Sequence, residues 1–228
     1  MDNAKLYKPQ KMKYFLVIDQ GTSSTRAILF DEKFAVVNLS QTEFKQFFPK
    51  DGWVEHDAIE IFDTVIDCIK DVMIKSKTTY KEIIAIGITN QRETCLLWDK
   101  EGNPLGKAIV WQDRRTAELC NNFKKDGLDK KINQITGLLA DPYFSGTKLS
   151  WLLENTGTPK DFHMGTIDTF LVWKLTDGRS YFIDATNASR TLLMDINNVS
   201  WSEEMCNLLN IPIDKLPEIK NSADEYGE

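Results

Sequence analysis

Hydrophobic and polar positions change their rhythm several times along the chain. Tyr14–Ile18 is a short apolar run, Asp19–Ser24 is polar and contains Gly21, and Thr25–Phe30 is apolar and β-branched again. Two such runs around a short glycine-bearing turn predict a β-hairpin. The charged triplet Asp31-Glu32-Lys33 then sets off a third predicted strand over Phe34–Leu39, so a three-stranded meander opens the fold. From Asp57 the period lengthens. Ala58, Ile61, Phe62, Val65, Ile66, Ile69, Val72 and Met73 recur every three or four residues, with Asp63, Asp67, Lys70 and Asp71 on the opposite face. That spacing predicts an amphipathic helix, and Asp57 followed by Glu60 resembles an acidic capping box at its start.

Further on, Ile83–Thr89 and Thr94–Trp98 predict strands, Glu101-Gly102-Asn103-Pro104 a turn, and Ala108–Trp111 another strand. Helices are predicted over Arg114–Lys125, closed by Gly127, and over Lys148–Glu154, Thr169–Leu175 and Trp201–Asn210, the last broken by Pro212 and Pro217. Short strands fill Gly165–Ile167, Tyr181–Ile183 and Thr191–Asp195. The whole predicts an α/β domain from Lys13 onward, behind a polar, basic, flexible leader over residues 1–12. There is no fixed-period repeat and no low-complexity tract.

Composition narrows the classes. The 228 residues are 42% hydrophobic and 27% charged, which suits a globular protein and not a disordered or collagen-like one. A net charge of −6 offers no global positive field for nucleic acid or anionic lipid, and Lys124-Lys125 and Lys130-Lys131 are too few to make a binding stripe. The basic start lacks the apolar stretch of a signal peptide, and Tyr14–Ile18 is far shorter than the roughly 20 residues a membrane span needs, so a cytoplasmic setting is expected. Cys68, Cys95, Cys120 and Cys206 form no CxxC pair and read as reduced thiols; His56 and His163 have no ligand spacing and read as structural.

Three segments carry candidate chemistry. In Asp19-Gln20-Gly21-Thr22-Ser23-Ser24-Thr25-Arg26, Gly21 permits a tight turn whose N–H groups can cup an anion. Hydroxyls and an arginine add donors for phosphate, and a strand-end carboxylate suits hydrated Mg²⁺. An ordinary hairpin with a capping aspartate explains the same residues. Arg92 and Glu93, at the end of a predicted strand, place a donor fork beside a carboxylate, suited to adjacent hydroxyls of a polyol, or equally a solvated turn with an incidental ion pair. Trp111 offers an apolar ring to a small carbon skeleton, or core packing.

The Asp-x-Gly-Thr hairpin with its following Arg26 resembles the first phosphate motif of the sugar-kinase, hexokinase and actin superfamily. The segment Asp141-Pro142-Tyr143-Phe144-Ser145-Gly146-Thr147-Lys148-Leu149-Ser150-Trp151-Leu152-Leu153-Glu154-Asn155 is far more specific and resembles the first signature of the FGGY family of carbohydrate kinases. Gly52–Asp57, Gly87–Thr94, Ala108–Gln112 and Thr186–Thr191 are similar to its glycerol-phosphorylating branch, and the resemblance runs from about Lys13 to Gly227.

The resemblance implies a ribonuclease H-like fold with a mixed β-sheet and flanking helices, and the cofactors ATP and Mg²⁺. Arg92, Glu93 and Tyr143 would hold glycerol hydroxyls and Trp111 would pack on its carbons. Thr22, Ser23, Ser24 and Arg26 would meet ATP and ADP phosphates, with Thr22 also near the transferred phosphoryl group, and Asp19 would be the Mg²⁺-associated carboxylate. The family's general base is an Asp in a Gly-Asp-Gln segment. This sequence contains no such segment, so the base is expected beyond Glu228 and no catalytic base is assigned within the chain. The chain is therefore expected to be the acceptor-binding first half of a kinase, either a shortened form or one product of a divided gene. Its implied partners are glycerol, ATP/ADP, a second half with the adenine pocket, and further copies in an oligomer. Two alternatives stand beside it: a non-catalytic glycerol-binding module, and an FGGY kinase for a pentose, against which Arg92-Glu93 with Trp111 argues.

Overall fold

The computed structural model describes residues 12–157 and 159–228, so the expected leader lies outside the described residues except for Met12. Elements follow in the order β1 (Tyr14–Gln20), β2 (Ser24–Asp31), β3 (Val36–Glu43), β4 (Gln46–Phe47), β5 (Glu55–His56), α1 (Ala58–Ser76), β6 (Ile83–Asn90), β7 (Cys95–Asp99) and β8 (Ala108–Ile109). Then come α2 (Ala117–Lys125), α3 (Asp129–Thr136), α4 (Ser145–Asn155), β9 (Phe162–Thr166), α5 (Ile167–Leu175), β10 (Phe182–Asp184), α6 (Ala185–Ala188), β11 (Met194–Asp195), β12 (Ser200–Trp201), α7 (Glu203–Leu208) and β13 (Glu218–Lys220). The region expected as one domain divides into two compact units, up to Glu43 with Thr64–Thr89, and Phe44–Asp63 with Asn90–Glu228.

The first unit is built on a four-stranded sheet in the order β3-β2-β1-β6. The predicted meander is present, with β1 antiparallel to β2 and β2 antiparallel to β3. Alternation along β1 and β2 sends Tyr14, Leu16, Ala27 and Leu29 to one face, where they pack with Cys68 and Val72 of α1. Each apolar side chain of this size contributes about 2 kcal/mol by leaving water. Polar pairs fix the register of helix on sheet: the buried hydroxyls of Thr25 and Thr64 lie 2.8 Å apart, and Ser40 donates to Asp71 at 2.6 Å.

The capping box at the head of α1 is only half formed. Asp57 accepts the Ile59 and Glu60 amides at 2.9 and 3.2 Å, whereas the Glu60 carboxylate accepts the Lys45 amide at 2.9 Å. Lys107 also donates to Asp57 at 2.6 Å, so both carboxylate oxygens are engaged.

The second unit holds a five-stranded sheet, β4-β5-β8-β7-β9, with β7 buried along almost its whole length. Its β4–β5, β5–β8, β7–β8 and β7–β9 pairings are antiparallel, while β10 and β13 pair in parallel. Behind it lies the main core, in which Leu97, Ile109, Phe144, Leu149, Met164 and Leu193 meet. The strand expected over Ala108–Trp111 ends at Ile109, because the chain turns there and the Asp113 amide bonds back to Val110 O at 3.0 Å. Helix α3 lies in a stretch for which the sequence reading predicted no element, and α2 starts at Ala117, three residues later than expected. All four cysteines are buried and free, as expected. Among the described residues no helix is long and apolar enough to cross a membrane.

Two of the buried groups with displaced pKa values in the second unit, His56 and Asp168, are displaced in opposite directions. Burial pushes His56 down to about 4, its Nδ1 3.3 Å from Gln91 Nε2, and burial pushes Asp168 up to about 7. Unfolded His56 therefore binds protons that the folded form refuses between pH 6.5 and 4, and its contribution to stability is lost as pH falls through that window. Folded Asp168 holds a proton that the unfolded form releases between pH 7 and about 4, and its contribution grows as pH falls. Urea midpoints across pH 4–7 are thus expected to show the gap between wild type and Asp168→Asn widening in favour of wild type on acidification. The gap to His56→Gln is expected to move the opposite way.

Candidate acceptor and phosphate sites

In the second unit the chain leaves β6 at Asn90 and enters β7 at Cys95 through a turn of four residues. Thr94 Oγ1 donates to Gln91 Oε1 at 2.9 Å across this turn, and Glu93 takes the left-handed conformation with φ 61°. That backbone is uncommon for a residue with a Cβ and persists only when neighbours hold it. They do so here: Ser145 Oγ donates to Glu93 O at 3.2 Å, and Arg190 Nε donates to Glu93 Oε1 at 2.6 Å. Glu93 is 2% exposed, so its carboxylate sits away from water with a guanidinium against it, while its neighbour Arg92 is exposed. The side-by-side pair read from sequence is therefore split between two environments, and the cation that Glu93 meets is Arg190.

Trp111 stands half-buried in the turn after β8, its ring centroid 5.6 Å from that of Tyr143. The Arg190 guanidinium lies 5.6 Å from the Tyr143 ring and 4.9 Å from that of Phe144, within cation–π range. Glu93, Trp111 and Tyr143 are thereby linked through Arg190 into one cluster; Arg92 is beside it in sequence, on the exposed side of the turn.

Two devices hold the Asp141–Phe144 segment that carries Tyr143. Asp141 Oδ1 accepts the Tyr143 amide at 2.9 Å and Arg114 Nη1 at 2.9 Å, tying this segment to the turn of Trp111. Lys148, fully buried in α4, donates to the carbonyls of Pro142 (3.0 Å), Tyr143 (2.5 Å) and Phe144 (2.8 Å). Burial pushes the Lys148 ammonium down to about 8, and three carbonyl acceptors match its three donors. The Trp111 turn itself rests on Arg115, whose guanidinium lies 3.7 Å from the Trp53 ring and 4.6 Å from that of Trp151 while bonding Asp113 and Glu55 at 2.8 Å.

The hairpin belongs to the first unit. Asp19 and Arg26 face each other in the β1–β2 register, and Arg26 Nη1 donates to Asp19 Oδ2 at 3.1 Å while its Nε donates to Gln41 at 3.0 Å. Gly21 N–H closes the turn on Ser24 O at 2.9 Å, and a Cβ on Gly21 would approach that oxygen to 3.1 Å. The residues read as phosphate donors differ in setting: Thr22 is half-buried, Ser23 exposed, and Ser24 buried with its Oγ accepting from Gln41 Nε2 at 3.1 Å. Ser23 thus stands exposed at the tip with Thr22 half-buried beside it, and Ser24, Arg26 and Asp19 bond within the sheet.

Residues 14–228 match the model of the FGGY family of carbohydrate kinases, N-terminal domain. The chain belongs to that family. It is 53% identical over 221 residues to glycerol kinase of Sinorhizobium fredii, covering 94% of this chain and 44% of that protein. Its fold is similar to the crystal structure of Plasmodium falciparum glycerol kinase with ADP, with a TM-score of 0.84, 39% identity, and coverage of 95% of this chain and 44% of that one. It is also similar to gluconate kinase from Lactobacillus acidophilus, with a TM-score of 0.83, 25% identity, and coverage of 92% and 42%. The chain thus spans less than half the length of the relatives it matches, and its fold is the α/β, ribonuclease H-like one that the resemblance implied.

The FGGY signature segment read from sequence is the stretch that Lys148 ties down. In the sequence Lys148 and Arg190 lie inside family motifs with no role assigned to either; the signal for Lys148 is a lysine among apolar positions at helical spacing, which requires buried acceptors for its ammonium. Replacing Lys148 by Met would orphan the buried Pro142 and Phe144 carbonyls and the part-buried Tyr143 one, at about 1–3 kcal/mol for each buried group. Denaturant unfolding of Lys148→Met is expected to show a loss of about 3 kcal/mol or more.

Proposed function

We propose that the chain supplies the acceptor-binding part of an ATP-dependent glycerol kinase, which transfers the γ-phosphoryl group to a terminal hydroxyl of glycerol and yields sn-glycerol 3-phosphate. The observation that carries this reading is the cluster of Glu93, Tyr143 and Trp111 in a chain about half identical to named glycerol kinases. A buried carboxylate accepts strong hydrogen bonds from hydroxyls, the exposed Arg92 fork can donate to hydroxyl oxygens, and the tilted Trp111–Tyr143 pair offers an apolar wall to the carbon skeleton. Phosphoryl transfer is mostly positioning and charge stabilisation, so a rigid acceptor seat is much of the catalytic work.

For the nucleotide, Thr22, Ser23, Ser24 and Arg26 are the proposed phosphate contacts. Ser23 is exposed and can donate directly, the Ser24 hydroxyl keeps its own proton to donate while it accepts from Gln41, and Arg26 keeps N–H groups beyond those it gives to Asp19 and Gln41. Asp19 fits a hydrated Mg²⁺: it is a partly exposed strand-end carboxylate, and Mg²⁺ keeps most of its waters and takes only one or two protein carboxylates. When bound, that ion would neutralise phosphate charge. The proton acceptor for the attacking hydroxyl is proposed to lie in a Gly-Asp-Gln segment of a partner polypeptide or longer form, in a cytoplasmic, oligomeric setting, since this sequence has none. The same lack favours one second reading, that the chain by itself binds glycerol without turning it over.

Calorimetric titration of the 228-residue chain is expected to show glycerol binding that Arg92→Ala weakens by about tenfold, about 1.4 kcal/mol. With Mg-ATP added, the chain alone is expected to form no Arg92-dependent sn-glycerol 3-phosphate. Absence of glycerol binding overturns the acceptor reading; Arg92-dependent product overturns the assignment of the base to a separate segment.

A further inference from the structure

Arg190 follows α6 in a stretch that is fixed on both sides. Thr191 Oγ1 donates back to Ala188 O at 2.7 Å, and Thr191 O accepts the Gly146 amide at 2.6 Å. The second contact requires glycine, because a Cβ at position 146 would come within 2.6 Å of that same oxygen. The first turn of α4, which follows directly on Tyr143 and Phe144, is thereby bolted to the residue after Arg190. From this anchored position the Arg190 side chain, 33% exposed, reaches Glu93 at 2.6 Å and lies against the rings of Tyr143 and Phe144.

Glu93 and Arg190 are 97 residues apart in sequence, yet their charges meet where the Glu93 side chain is only 2% exposed. A carboxylate this deep needs a cation beside it and a fixed hydrogen bond to aim it. Glu93 has a left-handed backbone, so its side-chain direction is not the one a strand would give it, and the Arg190 fork sets it. Arginine suits this task better than lysine: a planar guanidinium can donate in its plane to a carboxylate while its face rests on an aromatic ring.

The geometry points to Arg190 as the positioning residue of the acceptor site. It orients the Glu93 carboxylate and braces Tyr143, and so sets the discrimination for a vicinal triol over a diol without itself touching the acceptor. This inference rests on the acceptor reading above. It adds that Glu93 and Tyr143 work as a pair because one side chain holds both.

The test is titration of the 228-residue chain with glycerol, propane-1,2-diol and propane-1,3-diol, using wild type, Arg190→Ala, Arg190→Lys, Glu93→Gln and the Arg190→Ala/Glu93→Gln double variant. Wild type is expected to prefer glycerol over either diol by at least tenfold. Arg190→Ala is expected to bind glycerol at least tenfold more weakly and to lose most of that preference, with Arg190→Lys in between. The double variant is expected to bind no worse than Glu93→Gln alone, since Arg190 acts through Glu93. A merely structural role would weaken all three ligands equally and leave the preference intact, and that result overturns the inference. So does an Arg190→Ala protein with wild-type affinity and preference. If Arg190→Ala does not fold, the Arg190→Lys ratio decides: a preference reduced at least threefold supports the inference and an unchanged one overturns it. Failure of wild type itself to bind glycerol is a different result and overturns the acceptor reading.

Discussion

A carboxylate buried on a left-handed backbone sets the terms for the rest of the second unit. Glu93 could not remain there alone, because an unpaired charge at 2% exposure costs several kcal/mol. Its needs explain otherwise unconnected features. Arg190 must arrive from almost 100 residues away, Gly146 must lack a side chain so that the segment after Arg190 can close on α4, and Ser145 must spend its hydroxyl on the Glu93 carbonyl. Each contact is local in space and remote in sequence.

The same economy appears under Tyr143. An aromatic residue in a loop is a poor recognition element unless the loop is stiff, since ordering it costs entropy. Lys148 supplies the stiffness by closing three consecutive carbonyls on one buried ammonium, and Arg114–Asp141 ties the loop to the turn of Trp111. The hairpin of the first unit is built on the opposite plan. Its charged residues are paired within the sheet, Asp19 with Arg26, and Ser23 at its tip is exposed. The proposed acceptor seat would gain from being rigid before its ligand arrives.

Periodic elements were legible in the sequence and contact-made ones were not. The opening meander and α1 follow from alternation and a 3.6-residue period, and the buried positions Ala58, Ile61, Val65 and Val72 lie on the face that the period selects. Strands β4, β5, β11 and β12 have two residues each, too few for any period, and α3 has a lysine-rich sequence with little apolar signal. In the site, Glu93, Trp111 and Tyr143 were legible as residue types in family motifs, but their common partner was not, because nothing local to Thr186–Thr191 points at Glu93. The Asp19–Arg26 pair was within reach: a tight hairpin between Ile18 and Ala27 puts those two residues opposite one another. Reading them as separate metal and phosphate ligands passed over that register.

If the chain carries the proposed preformed glycerol seat, a crystal structure of the 228-residue chain grown with glycerol will show the ligand beside Glu93, Arg92, Tyr143 and Trp111, with the Arg190–Glu93 and Lys148–carbonyl bonds unchanged from the ligand-free chain. Glycerol bound elsewhere, or a Glu93 that has left Arg190 to meet it, would overturn that proposal.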